Sequence, residues 1–340
     1  MSVTRRLILR TAAALPLVAA GARFAPARAA TTLKISHQFP GGTIDEGDFR
    51  DRLCRKFAAS VTAATNGELD FQIYPGSSLM KTNAQFSALR KGALDLSLYP
   101  ISYAGGEVKE LNIGLMPALV SSYDQAVRWK KAAIGQAFTK ILEEKGVVIV
   151  AWVWQAGGIA SRTGAVVNPA DAAGLKIRGG SREMDLMLKE AGAAVVTMPS
   201  NELYIAMQTG AVDAAMTSST SLISFRLEEL AKNLTTGRDR AFWFMLEPLI
   251  MSKAIFDALP QNQRDAIMKA GEEAETFGQE QAKKDDAAVA EIFGKAGAGI
   301  HDIDSAALEK WKAIAAASAW KDYADKGESC AELLKLAEAV

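Results

Sequence analysis

The feature that most limits the fold is a stretch that occurs twice. Phe86, Ala88, Gly92-Ala93, Asp95 and Tyr99 recur at the same spacings as Tyr204, Ala206, Gly210-Ala211, Asp213 and Thr217. Each copy reads as a helix closed by glycine at its C-terminal end, a short turn and an apolar strand. The simplest architecture with two such units is two similar lobes, each ending a strand at a shared cleft. In open α/β sheets ligands lie beyond the carboxyl ends of the strands. That directs attention to Tyr99 on one side and to Thr217, Ser218 and Ser219 on the other.

The rest of the chain agrees with lobes of the α/β class. Residues 33–36 read as a first strand, and Phe49, Leu53, Phe57 and Val61 place one apolar face on a helix over 43–64. Asn66-Gly67 stops that helix, and residues 69–74 alternate as a strand before a Pro75-Gly76 turn. Residues 147–154 form a continuous apolar run, the pattern of a strand buried on both faces. Strands alternating with helices predict largely parallel sheets. Residues 260–293 are rich in Ala, Glu, Gln and Lys, a long helix of good formers. Gly294, Gly297 and Gly299 end it, and two short helices follow over 305–318 and 328–340.

The first 29 residues read as an export leader. They hold five arginines, no acid, an Ala-rich apolar stretch over 11–22 and the small-x-small site Ala27-Arg28-Ala29. Arg5-Arg6 followed by Leu7-Ile8-Leu9 fits the twin-arginine signal, which carries folded cargo. The apolar stretch is shorter than the roughly 20 residues needed to span a bilayer. Without the leader, the 39 basic and 39 acidic residues become 34 against 39, a net charge of −5. Such a surface has no basic stripe for nucleic acid. The remaining 311 residues exceed one compact core and fit two lobes. Cys54 and Cys330 fall on expected helices and read as small buried hydrophobes. Folding before export, in a reducing compartment, argues against a disulfide between them.

Enzyme and metal motifs fail by count. His37 and His301 are the two histidines, and no Cys or His pair has zinc spacing. There is no Gly-x-Ser-x-Gly elbow and no glycine loop placed to cradle phosphate, so no cofactor is expected. His37 follows the first strand, where it either reaches the cleft or serves as a structural histidine. His301, in a late strand, reads as structural.

Gly174-Leu175-Lys176-Ile177-Arg178 leads into a strand that ends in arginine. A guanidinium is permanently charged and donates two parallel hydrogen bonds to a carboxylate. Met198-Pro199-Ser200 opens the second repeat helix with Ser200 as a candidate N-cap. Thr217 to Ser221 are five consecutive hydroxyl residues, which either orient a polar ligand or cap the next helix. Trp152, Trp154 and Gln155 end the buried run, and Trp243-Phe244 lies near the return crossing. Those aromatics either stack on a ligand or pack the hinge.

The frame Gly174-Leu175-Lys176-Ile177-Arg178, Met198-Pro199, Glu202, Tyr204, Ala206, Gln208-Thr209-Gly210 and Asp213 resembles the solute-binding subunits of TRAP (tripartite ATP-independent periplasmic) transporters, of the DctP type. The likeness extends to Leu33 to His37, Ile73-Tyr74-Pro75, the first Gly92 to Asp95 copy and Ser252 to Pro260. It implies two lobes joined by hinge strands and a long interlobe helix, with 30–154 and 244–283 in lobe I and 155–243 and 284–340 in lobe II. It further implies periplasmic capture of a small organic acid anion, with Arg178 on the carboxylate, and integral-membrane permease subunits as partners. Tyr99, Gln155, Trp154, His37, Ser200 and Thr217 to Ser219 complete the expected site. Two other functions share these features: a ligand-binding protein that feeds a sensor kinase, and a periplasmic enzyme acting on a carboxylate. This chain departs from the family where an asparagine often follows the second-repeat strand (here Thr217) and where an aromatic often follows Met-Pro (here Ser200). A second arginine found in some sialic-acid binders falls at Gly158, which argues against that ligand.

Overall fold

The computed structural model describes residues 30–237 and 240–340. The expected leader lies outside the described residues. Among the described residues no helix is long and apolar enough to cross a membrane.

The strands, in chain order, are β1 (Thr31–Ser36), β2 (Leu69–Tyr74), β3 (Leu96–Leu98), β4 (Val147–Ala151), β5 (Trp154–Ser161), β6 (Lys176–Arg178), β7 (Ala194–Val195), β8 (Ala214–Ser218), β9 (Asn233–Thr236), β10 (Phe244–Leu246), β11 (Leu249–Ser252) and β12 (Gly299–Asp302). They form two sheets, one per lobe: β2-β1-β3-β11-β4 in the first, and β12-β9-β5-β8-β6-β7 in the second, with β10 paired to β5. Both repeat units have the predicted form. Helices Gln85–Arg90 and Leu203–Gln208 are followed by left-handed Gly92 and Gly210, at φ of 67° and 76°, and then by β3 and β8. Glycine alone adopts that conformation without cost.

The sheets are mixed, which corrects the expectation of largely parallel ones. β1 runs parallel to β2 and β3, and β6 runs parallel to β7 and β8. β11 is antiparallel to β3 and β4, and β5 is antiparallel to β8, β9 and β10. The physical reason is connectivity: β5 and β11 are each the first strand after the chain crosses between lobes, and each enters its sheet from the opposite direction. The apolar run over 147–154 is accordingly not one strand. Trp152 and Val153 leave the first sheet and β5 starts the second; the return crossing is Glu247-Pro248.

The helix Phe49–Ala64 starts six residues later than its pattern predicts, because Asp48 caps it by accepting from the Arg50 amide. Its Leu53, Phe57 and Val61 are buried. The helix Gln261–Lys295 is 35 residues long, roughly 50 Å at 1.5 Å per residue. It packs against β4 and β5 at the first crossing and against the helices Phe49–Ala64 and Ser219–Ser224. Gly271 permits this approach, since a Cβ there would lie 2.1 Å from the Val150 carbonyl oxygen. The last helices touch both halves: Ser305–Ala315 lies on the helix Arg182–Glu190, and Glu328–Glu338 lies on the helix Ala133–Glu144.

Candidate functional site

Arg178 ends β6 and is almost wholly buried, at 1% exposure. Its guanidinium is aimed by three neutral oxygens: Nε donates to the Met198 carbonyl at 3.0 Å, Nη1 to the Met216 carbonyl at 2.9 Å, and Nη2 to the Tyr103 hydroxyl at 2.6 Å. A guanidinium has five N–H donors, so two remain. No carboxylate lies within ion-pair distance of it among the described residues. Asp185 is the acid that feels its charge; burial raises the Asp185 carboxyl, and Arg178 pulls it down. A buried cation held by dipoles alone is costly unless an anion completes it.

The backbone beside Arg178 is shaped to leave it open. Gly180 has φ of 98°, and a Cβ there would lie 2.7 Å from Arg178 Nη1. The preceding Gly179 carbonyl accepts from Trp243 Nε1 at 3.0 Å, which braces the turn from the return segment. A cavity of about 470 Å³ lies against this turn, lined by Ser102 and Tyr103 from the first lobe and by Gly180, Met198 and Pro199 from the second.

Ser102 Oγ in its lining is buried with no protein partner, as are Tyr99 Oη, on the ring packed against Tyr103, and, elsewhere, Gln155 Oε1 and both amide atoms of Gln38. Tyr99, Ser102 and Gln38 follow the carboxyl ends of β3 and β1, where the topology predicts a ligand. Each unpaired buried polar group costs about 1–3 kcal/mol, so a polar ligand that satisfies several is strongly favoured. Tyr99 is also pushed to a high pKa, chiefly by burial, and stays a neutral hydroxyl.

A second buried cluster ties the lobes together. Arg50 Nε and Nη2 donate to Asp48 at 2.9 and 2.7 Å, and Nη1 reaches Ser221 Oγ at 2.9 Å and Ser218 Oγ and Glu247 at 3.4 Å. The Phe39 ring covers the guanidinium at 3.7 Å. Glu247, at the return crossing, also accepts from Gln155 Nε2. Burial lifts its carboxyl to about 7, against the pull of Arg50.

The expected site residues separate into two groups. Arg178, Tyr99 and Gln155 keep polar atoms free, as do His37 Nδ1 and Trp154 Nε1, although the rest of His37 and Trp154 and the other expected residues are engaged with the protein. His37 Nε2 lies 3.1 Å from Asp51 Oδ1, and the ring stacks on Phe39. Asp51 is held below the usual carboxylate range: burial raises it, but bonds from His37, Arg55 and the Gly42 amide outweigh that. Ser218 caps the helix Ser219–Ser224 and meets Arg50, and Ser219 donates to Asp286 at 2.6 Å. Ser200 contributes its amide, 3.1 Å from Tyr103 Oη, and its side chain caps nothing. Trp154 packs edge-on against Trp129 at 5.1 Å. Thr217 is buried in β8 with its carbonyl against Gly157. Gly158 has no room for a side chain, since a Cβ would stand 2.6 Å from the Thr235 carbonyl, so no arginine fits there. Tyr103, Gln38, Ser102, Arg50 and Glu247 were not singled out by the sequence; Gln38, beside His37 at a strand end, had the clearest signal.

Residues 45–326 match the bacterial extracellular solute-binding protein family 7, DctP. A solute-binding protein of Albidiferax ferrireducens is 65% identical over 308 residues, covering 91% of each chain. The crystal structure of a TRAP periplasmic solute-binding protein from Rhodoferax ferrireducens, with bound malonate, superposes with a TM-score of 0.89 at 65% identity, covering 90% of this chain and 97% of that one. The C4-dicarboxylate-binding periplasmic protein DctP of Rhodobacter capsulatus is 25% identical, over 76% of this chain and 78% of its own.

Proposed function

The chain belongs to bacterial extracellular solute-binding protein family 7, and from that premise we propose that it captures a small organic acid in the periplasm and delivers it to a membrane permease. The observation that carries this reading is Arg178: a buried guanidinium, oriented by neutral oxygens, with two donors unspent, whose partners Tyr103 and Met198 line an interlobe cavity. A carboxylate supplies both the charge and the two acceptors that these donors need. Tyr99 Oη, Ser102 Oγ, Gln155 Oε1 and the Gln38 amide lack protein partners and hydrogen-bond the remainder of the ligand. The malonate bound by the relative from Rhodoferax ferrireducens belongs to this chemical class. The two lobes meet over the ligand, and exclusion of water strengthens the ion pair.

A thermal-shift screen of malonate, succinate and sugar acids identifies the ligand, because a compound that binds only the folded form raises the melting temperature. Arg178→Ala is expected to weaken binding of the best hit by about 30-fold to several thousand-fold, since truncating one partner of a buried charge pair costs about 2–5 kcal/mol. Titration calorimetry reads this, and an Arg178→Ala protein that binds as tightly as the parent removes the clamp assignment. Recovery of the ligand unchanged after incubation is the expected result for a transport protein; turnover identifies an enzyme.

A further inference from the structure

We propose that Tyr103 is a ligand-gripping residue, donating its hydroxyl proton to the same carboxylate that Arg178 holds; the inference rests on the carboxylate-binding reading above. Hydrogen-bonding capacity leaves the Tyr103 hydroxyl one proton to give. Tyr103 Oη accepts from Arg178 Nη2 at 2.6 Å and from the Ser200 amide at 3.1 Å. Arginine and a backbone N–H are donors only, so in both bonds the phenolic oxygen is the acceptor. Its lone pairs are thereby used, and its own proton has no acceptor in the protein among the described residues. That proton has to point away from both donors. The ring lines the interlobe cavity beside Ser102, whose Oγ is buried without a partner.

The fold holds Tyr103 firmly. It sits in the 3-10 turn Ile101–Ala104 that follows β3, and its amide donates to the Pro100 carbonyl at 3.0 Å. Tyr99 packs edge-on against it at 6.2 Å, and Asn112 pins the end of the turn by donating to the Gly105 carbonyl. Tyr103 belongs to the first lobe, and both its donors belong to the second. Its hydroxyl is therefore assembled as a donor only when the lobes meet, which ties the capture of a carboxylate to closure. Bound this way, a carboxylate receives two N–H bonds from Arg178 and one O–H bond from Tyr103.

The test is calorimetric titration of the parent and Tyr103→Phe with malonate, succinate and erythronate, together with a crystal structure of the parent with its tightest acid among the three. The variant is expected to lose about 10- to 100-fold in affinity, the range for a hydrogen bond to a charged group, with a lower unfolding midpoint for the ligand-free protein, because Arg178 and the Ser200 amide each lose an acceptor. The structure, which needs no variant, is expected to place Tyr103 Oη within hydrogen-bond distance of a carboxylate oxygen. A variant affinity within twofold of the parent overturns the proposal. So does a complex in which the hydroxyl contacts only Arg178 and Ser200, because a residue that merely positions Arg178 would weaken binding without touching the ligand. Failure of the parent to bind any of the three acids overturns the functional reading, and this inference with it.

Discussion

Glu247 shows how a single buried side chain leaves a mark on bulk stability. Its carboxyl is raised to about 7 in the folded protein, against an ordinary value of 4.5, because burial penalises the charge more than Arg50 repays. The folded state thus keeps a proton that the unfolded chain releases. The stability this group contributes is present below about pH 4.5 and is lost as pH rises through about 7. Glu183, Asp185 and Asp285 are shifted the same way by burial, so the slope is shared. Glu247→Gln is expected to flatten the fall in the urea midpoint between pH 5 and 7. An unchanged slope would mean that Glu247 ionises as it does in water. Arg50 is the complementary case: removing it leaves Asp48 and Glu247 buried without a cation, at a cost of about 3–5 kcal/mol.

At the scale of elements, β5 is the most constrained strand. It is buried along its whole length, and its paired glycines lie under the Thr217 and Thr235 carbonyls and the Trp243 ring. Gly158→Ala is expected to destabilise the fold by about 1–3 kcal/mol through overpacking, read as a lower urea midpoint with ligand specificity unaltered. A midpoint equal to the parent's would show that the strand yields. Elements of this kind mark how far the sequence is legible. The two repeat units, the long helix and the strand ending in Arg178 were readable, because each rests on local periodicity or on a glycine at a helix end. The break at Trp152-Val153 was not, since both sheets bury that run equally and hydropathy does not register a change of sheet. Nor was Tyr103, a tyrosine in a short 3-10 turn whose partners Arg178 and Ser200 lie far along the chain. The direction of β5 and β11 follows from the crossings and leaves no trace in side-chain pattern.

On the whole-molecule scale, the two sheets meet through two short crossings, the long helix and contacts such as Arg50 with Ser221. Ligand is expected to shift the solution ensemble toward the compact form, lowering the radius of gyration in X-ray scattering for the parent but not for Arg178→Ala. Equal scattering with and without ligand would mean that the lobes already meet without it. Cys54 and Cys330 are buried free thiols, and burial raises both above the usual thiol range. Thiol reagents are expected to label neither until the protein is denatured, when both react.

The placement of β11 sets the order in which the molecule can be made. It lies between β3 and β4, so β4 has no partner in its sheet until residues 249–252 have been synthesised. The second sheet likewise waits for β12 at 299–302. Neither sheet can therefore be completed as its early strands emerge from the ribosome, and the apolar Val147–Ala151 segment waits for its strand partner while the roughly hundred residues up to Leu249 are made. Completion of the two sheets is therefore a late event, and a nascent chain arrested before residue 249 is expected to bind a chaperone through that segment.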